Sequence, residues 1–182
     1  MRKIVISILA LVLVALFSLN AQAQSSLGFN GIGGSISMVK PDDSDTSIGF
    51  GAHVDFGQIT TGLHLYPSIE YFNNKVTEDT IFGEVEAEAS VLSLNGDVRY
   101  YFPTQGKVGF FAGGGLAIHM TGDTEVDGQE VAEGQTDVGL NLLGGLELPV
   151  SERLSFSGLA KYIVSDNNGF KITAGLTYAM VQ

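Results

Sequence analysis

From residue 47 onward apolar and polar positions alternate. Ile48, Phe50, Ala52, Val54 and Phe56 are separated by Gly49, Gly51, His53 and Asp55. Only an extended strand turns a period of two into two distinct faces. The next run sets Leu63, Leu65, Pro67, Ile69 and Tyr71 against His64, Tyr66, Ser68 and Glu70. Leu92, Leu94, Gly96, Val98, Tyr100 and Phe102 then oppose Ser93, Asn95, Asp97, Arg99 and Tyr101. Val108 to Met120 repeats the pattern, with Phe111, Ala117 and His119 on the second face. Three more runs follow, Val138 to Leu148, Leu154 to Val164 and Phe170 to Met180, whose polar sides carry Asp137, Asn141, Glu147, Ser155, Ser157, Lys161, Lys171 and Thr173. A first strand from about Leu27 to Val39 changes parity between Phe29 and Ile32, so a β-bulge near Gly33-Gly34 is expected. The pattern predicts eight antiparallel strands joined up-and-down.

Charge decides which face points inward. Asp55, Glu70, Asp97, Arg99, Glu147, Lys161 and Lys171 share the polar face, whereas the apolar face of seven strands has no Asp, Glu, Lys, Arg or His. A charge at mid-bilayer on a lipid-facing strand costs roughly 2–4 kcal/mol, so a band without charges is what hydrocarbon requires. The polar face is also crowded with glycine, alanine and serine, as the narrow interior of eight strands demands. The fold class predicted is an all-β, eight-stranded antiparallel transmembrane β-barrel with its charges inside. The alternative, a soluble periplasmic lipocalin-like ligand binder, would turn the same two faces the other way.

Connection lengths orient the barrel. Links at Gly57–Thr60, Pro103–Lys107 and Pro149–Arg153 are short, and those at Lys40–Thr46, Asn73–Ala89, Thr121–Gln135 and Ser165–Gly169 are longer. Outer-membrane barrels have short periplasmic turns and long outer loops, which leaves both chain ends in the periplasm. Aromatic residues gather at two levels: Phe56, Phe102, Phe110, Phe156 and Tyr178 near the short turns, Phe50, Tyr71, Tyr162 and Phe170 near the loops.

The N-terminus agrees with export. Arg2-Lys3, an apolar run from Ile4 to Leu19 and Ala21-Gln22-Ala23 have the order of a cleavable secretory signal over residues 1–23, followed by a barrel domain over 24–182. The run is shorter than the roughly 20 residues a spanning helix needs. Removing the signal leaves 7 basic residues against 20 acidic ones, a net charge of −13, which argues against nucleic acid as a partner. The mean hydropathy of +0.23 is high for so acidic a chain and fits an apolar exterior. With no cysteine, stability must come from packing and backbone pairing.

These features resemble the small outer-membrane β-barrel family that includes the OmpA transmembrane domain and OmpX, over nearly the whole span from Leu27 to Met180. The most specific likeness is in the last strand, where Thr173, Gly175, Tyr178 and Met180 fit the spacing of an insertion signal. Met180 stands where such strands usually finish on Phe or Trp, and Val181-Gln182 extend past it. The resemblance implies Sec export to the outer membrane, periplasmic chaperones and the barrel-assembly machinery as partners during biogenesis, and outer-membrane lipid and lipopolysaccharide afterwards. It also implies an internal ion-pair network, with Arg99, Lys161 and Lys171 meeting Asp97, Glu147, Glu70 or Asp55. A closed barrel has no free edge that forces association, so a monomer is expected.

Candidate chemistry beyond that network is sparse, and no catalytic, metal or cofactor residue is assigned. His53 and His64 would lie opposite each other if the hairpin turned at Gln58-Ile59, a conceivable metal pair that lacks a third ligand. Asp123, Glu125 and Asp127-Gly128 start like a calcium loop, but the twelfth position is Gly134. His119 with Thr121 departs from the His-x-Ser arrangement of lipid A deacylase barrels, which weakens a lipid-modifying enzyme as the reading. The expected function is a structural or surface-interaction protein, its loops lined by Asp42, Asp43, Asp45, Glu78, Asp79, Glu84, Glu86, Glu88, Asp123, Glu125, Asp127, Glu130 and Glu133, with an unidentified surface ligand. A small channel or porin-like protein is the main alternative, although eight strands leave an interior only just wide enough for side chains.

Overall fold

The computed structural model describes residues 26–42, 45–80, 83–126, 129–132, 134–166 and 168–180; the signal over 1–23 lies outside them, as do Asp43, Asp127 and Glu133. The strands are β1 (Ser26–Pro41), β2 (Ser47–Thr60), β3 (Leu63–Thr80), β4 (Gly83–Tyr101), β5 (Gly109–Thr121), β6 (Thr124–Val126), β7 (Gln129–Ala132), β8 (Gln135–Pro149), β9 (Leu154–Val164) and β10 (Gly169–Ala179). Each of the eight long strands pairs antiparallel with its neighbours, and β1 pairs with β10 from Gly31↔Ala179 to Pro41↔Gly169, which closes the sheet into a barrel. Met180 N–H extends that seam by donating to Asn30 O at 2.7 Å.

The two faces fall as the alternation requires. Leu94, Leu142 and Leu176, at 40%, 62% and 49% exposure, look outward, while Lys161 and Lys171 are buried at 1% inside. Such inverted burial places hydrocarbon outside and polar groups within. Two T-shaped ring pairs, Phe29 with Phe56 at 5.9 Å and Tyr100 with Phe102 at 5.4 Å, sit at the short-turn end.

Four local expectations are corrected. The irregularity of β1 lies between Leu27 and Gly31, while Gly33 and Gly34 pair in register with His53 and Ala52. Leu27 and Phe29 therefore remain outward despite their odd parity. The first hairpin turns at Thr61-Gly62 rather than at Gln58-Ile59, because Thr60 pairs with Leu63 and Gly62 supplies a φ of +77°. Gly57, at φ 79°, sits where the β2–β3 register shifts, and its N–H donates to Asp55 Oδ1 at 2.8 Å. The segment read as a loop over Asn73–Ala89 is strand on both sides: β3 and β4 stay in register as far as Thr80↔Gly83. Past Phe72 this hairpin has no register partner on β2, so eight residues of β3 project about 26 Å beyond the rim. The Thr121–Gln135 connection also holds structure, since β6 and β7 form a small hairpin and β6 pairs with Ala87 and Glu88 of β4.

Replacing Leu142 by Arg sets a guanidinium against lipid in the middle of β8. Urea unfolding in lipid vesicles is expected to show a loss of about 2–4 kcal/mol, and a loss below about 1 kcal/mol would contradict the outward assignment.

Candidate functional site

Among the described residues, chemistry-bearing side chains converge in the interior, which is filled in three tiers. At the loop end Val39, Phe72 and Val91 form a buried apolar cluster, with Ile163 buried at the same level of the wall. Below them a polar lattice crosses the lumen. Asn141 Nδ2 donates to Asn95 Oδ1 at 2.9 Å and to Asp97 Oδ1 at 2.8 Å. Lys161 Nζ donates to Asp97 Oδ2 at 2.6 Å and to Asn95 Oδ1 at 3.3 Å. Asn95 also reaches Ser93 Oγ, which is 3.0 Å from His119 Nδ1. On the other side Lys171 forms an ion pair with Glu70.

Register explains why two ion pairs are needed. Lys161 and Lys171 face each other directly across β9 and β10. Like charges so placed repel. Each lysine turns away, one to β4 and the other to β3, so that four charges become two pairs. Small residues open the space: a Cβ on Gly51 would lie 2.8 Å from Glu70 Cγ.

Toward the short-turn end Arg99 takes a different environment. Its guanidinium carbon lies 3.9 Å from the centre of the Tyr66 ring and 4.8 Å from that of Phe111. No carboxylate among the described residues is within ion-pair distance, which corrects the expectation that Arg99 pairs with one of the four acids. The negative faces of the two rings attract the cation instead. Phe111 packs with Leu143 and Leu159, and Tyr101 lies against them. Tyr101 donates to Glu147 Oε2 at 2.6 Å and its hydroxyl is 3.1 Å from that of Tyr66. Glu147 is therefore held by a phenol, and Asp55 lies 3.5 Å from His64 Nδ1.

The proposed histidine pair is not formed. His53 is opposite Ser68 and hydrogen-bonds Thr177 Oγ1 at 2.8 Å, while His64 is opposite Gln58. Asp123 Oδ1 accepts the Gly134 N–H, and the side chains of Glu125 and Asp127 lie outside those described. Among the described residues no group of three potential ligands could hold a metal. In the insertion signal, Thr173 and Gly175 face the lumen, and Tyr178 and Met180 face outward at 46% and 41% exposure. Sequence reasoning missed the Ser93–His119 contact and the two rings around Arg99. Both follow from face and register together, since β4 aligns Ser93 with His119 and Arg99 with Gly113 beside Phe111.

Lys161→Met strands Asp97 without its cation at 2% exposure. Breaking a buried pair on one side costs about 3–5 kcal/mol, so the variant is expected to lose that much in urea unfolding, and adding Asp97→Asn should restore most of it. A single variant as stable as the parent would contradict the buried pairing. Arg99→Lys, which keeps the charge but loses the flat stacking surface, is expected to lower stability by about 1–2 kcal/mol in the same assay.

Comparison with known proteins fits this geometry. Residues 9–179 match the family described as outer membrane protein beta-barrel domain. No curated protein matches the sequence. Among solved structures, the outer membrane protein OprG from Pseudomonas aeruginosa is 15% identical, with a TM-score of 0.71 over 88% of this chain and 100% of that one. Neisserial surface protein A is 16% identical, with a TM-score of 0.64 over 82% of this chain and 96% of that one. The attachment invasion locus protein Ail of Yersinia pestis, in complex with the heparin analogue sucrose octasulfate, is 13% identical, with a TM-score of 0.51 over 84% of this chain and 97% of that one. At these identities the likeness is one of fold, and the matched family supplies the assignment: the chain belongs to the outer membrane protein beta-barrel domain family and resides in the outer membrane.

Proposed function

We propose that this protein is a closed-lumen, non-enzymatic outer-membrane barrel that acts through its structure and the acidic surface it presents outside the cell. The observation that carries this reading is the polar lattice across mid-lumen, where Lys161, Lys171, Asp97 and Asn141 are buried at 1–2% and bonded to one another or to Glu70 and Asn95. Apolar side chains above and aromatic ones below leave beside it a void of about 20 Å³, room for about one water molecule. Ser93 suits a nucleophile poorly: it is buried at 1% and already accepts from Asn95.

Export by a cleaved signal over residues 1–23 and assembly by periplasmic chaperones and the barrel-assembly machinery, reading Thr173, Gly175, Tyr178 and Met180, are part of the same proposal. So is a monomer embedded in lipid and lipopolysaccharide. Its outward partner differs from the polyanion seen with Ail. The projecting β3–β4 hairpin and the β6–β7 hairpin carry Glu78, Asp79, Glu84, Glu86, Glu88, Glu125 and Glu130 along their sequence, which favours a basic partner.

In planar bilayers the purified protein is expected to give no stable unitary conductance in 1 M KCl. Asp97→Ala with Lys161→Ala, which empties part of the lattice, should introduce one. A steady conductance in the unaltered protein would support the channel reading instead.

A further inference from the structure

A cavity of about 270 Å³ opens at the loop end of the lumen, above the ion-pair lattice. Its floor is the buried apolar tier of Val39, Phe72, Val91 and Ile163. Asn74, His119, Asp137 and Asp166 also line it. The Asp137 carboxylate accepts the backbone N–H groups of Val138 at 2.7 Å and of Asp166 at 3.0 Å, which sets the Asp166 segment beside it. No lysine or arginine is among the described lining residues.

Two polar atoms here have no partner although solvent scarcely touches them: Asn74 Oδ1 and His119 Nε2. Both are hidden from the cavity as well as from bulk water, so neither is a direct contact for a molecule bound there. The imidazole is held from the other side by Ser93, and this fixes which edge faces away from the lattice. An apolar base and two carboxylates, with no lysine or arginine among the described lining residues, describe a complement for one kind of molecule. We propose that this vestibule binds a small organic ammonium ion with an apolar group, the apolar part seated on Val39, Phe72, Val91 and Ile163 and the ammonium directed to Asp137 and Asp166.

The size agrees. A dry apolar cavity of about 150 Å³ admits benzene, so about 270 Å³ admits a single ring with a short aminoalkyl chain. An anion of the same shape meets two carboxylates and loses. A short ammonium ion without the apolar group leaves the floor unfilled and binds weakly. The closed lattice beneath makes the site a blind pocket, so binding and passage through the barrel are separable.

The test uses the full mature chain in lipid nanodiscs with methyl groups of Val, Ile and Leu labelled for NMR. The probe is 2-phenylethylammonium, with 3-phenylpropionate and ethylammonium as comparisons. Saturable shifts are expected at Val39, Val91 and Ile163, with affinity at least tenfold greater than for either comparison compound. Asp137→Asn with Asp166→Asn should weaken binding at least tenfold. Thr121→Trp, which places a large ring in the cavity and leaves the carboxylates in place, should abolish the shifts. Shifts confined to outward methyls such as Val138 and Leu142 would show partition into lipid and overturn the proposal. Equal affinity for the carboxylate, or binding unchanged in either variant with the methyl spectrum preserved, would overturn it as well.

Discussion

Hydrocarbon offers the backbone no hydrogen-bond partner, and this constraint shapes everything else in the molecule. A sheet can cross a bilayer only if every strand has two neighbours, so the pairing of β1 with β10 is the contact on which the fold depends. Once the seam closes, the alternation of side chains leaves no choice. One set of residues meets lipid, and the other must share a space barely wider than the side chains themselves.

That shared space accounts for the internal chemistry. Charges excluded from the outer face collect inside, where desolvation makes an unpaired charge costly. The protein meets the demand in two ways. Lys161 and Lys171, which oppose each other in register, are separated onto Asp97 and Glu70. Arg99 instead lies between Tyr66 and Phe111, whose ring faces take the place of a carboxylate. Polar and aromatic tiers together occupy the lumen, and the apolar tier above them underlies the cavity at the loop end.

Much of this was legible in the sequence because a period of two has a single structural meaning. The outward positions of Leu94, Leu142 and Leu176, the closure of eight strands and the gathering of seven charges on one face all follow from parity. Parity does not give register, and the misreadings lie there. His53 and His64 share a face, yet a turn displaced to Thr61-Gly62 separates them. The alternation stops at Tyr71 and resumes near Val91, which suggests a loop over Asn73–Ala89, but cross-strand pairing from Asn73↔Ser90 to Thr80↔Gly83 extends the hairpin well past the rim. Arg99 was assigned to a carboxylate because charge is visible in a sequence, whereas the approach of Tyr66 and Phe111 depends on strands β3, β4 and β5 lying side by side. Val39 lies near the end of β1, and Phe72 and Val91 sit where β3 and β4 run on past the alternation that the sequence displays, so none of the three stands out in the sequence.

The absence of cysteine makes the central claim directly measurable. Single cysteines placed at positions 94, 142 and 176 can carry nitroxide labels in the vesicle-inserted protein, whose collisions with oxygen and with a water-soluble nickel chelate are then compared. The outward, lipid-facing assignment predicts high oxygen accessibility and protection from nickel at all three. Labels at these positions that are accessible to nickel, or shielded from both reagents as in a packed interior, would contradict it.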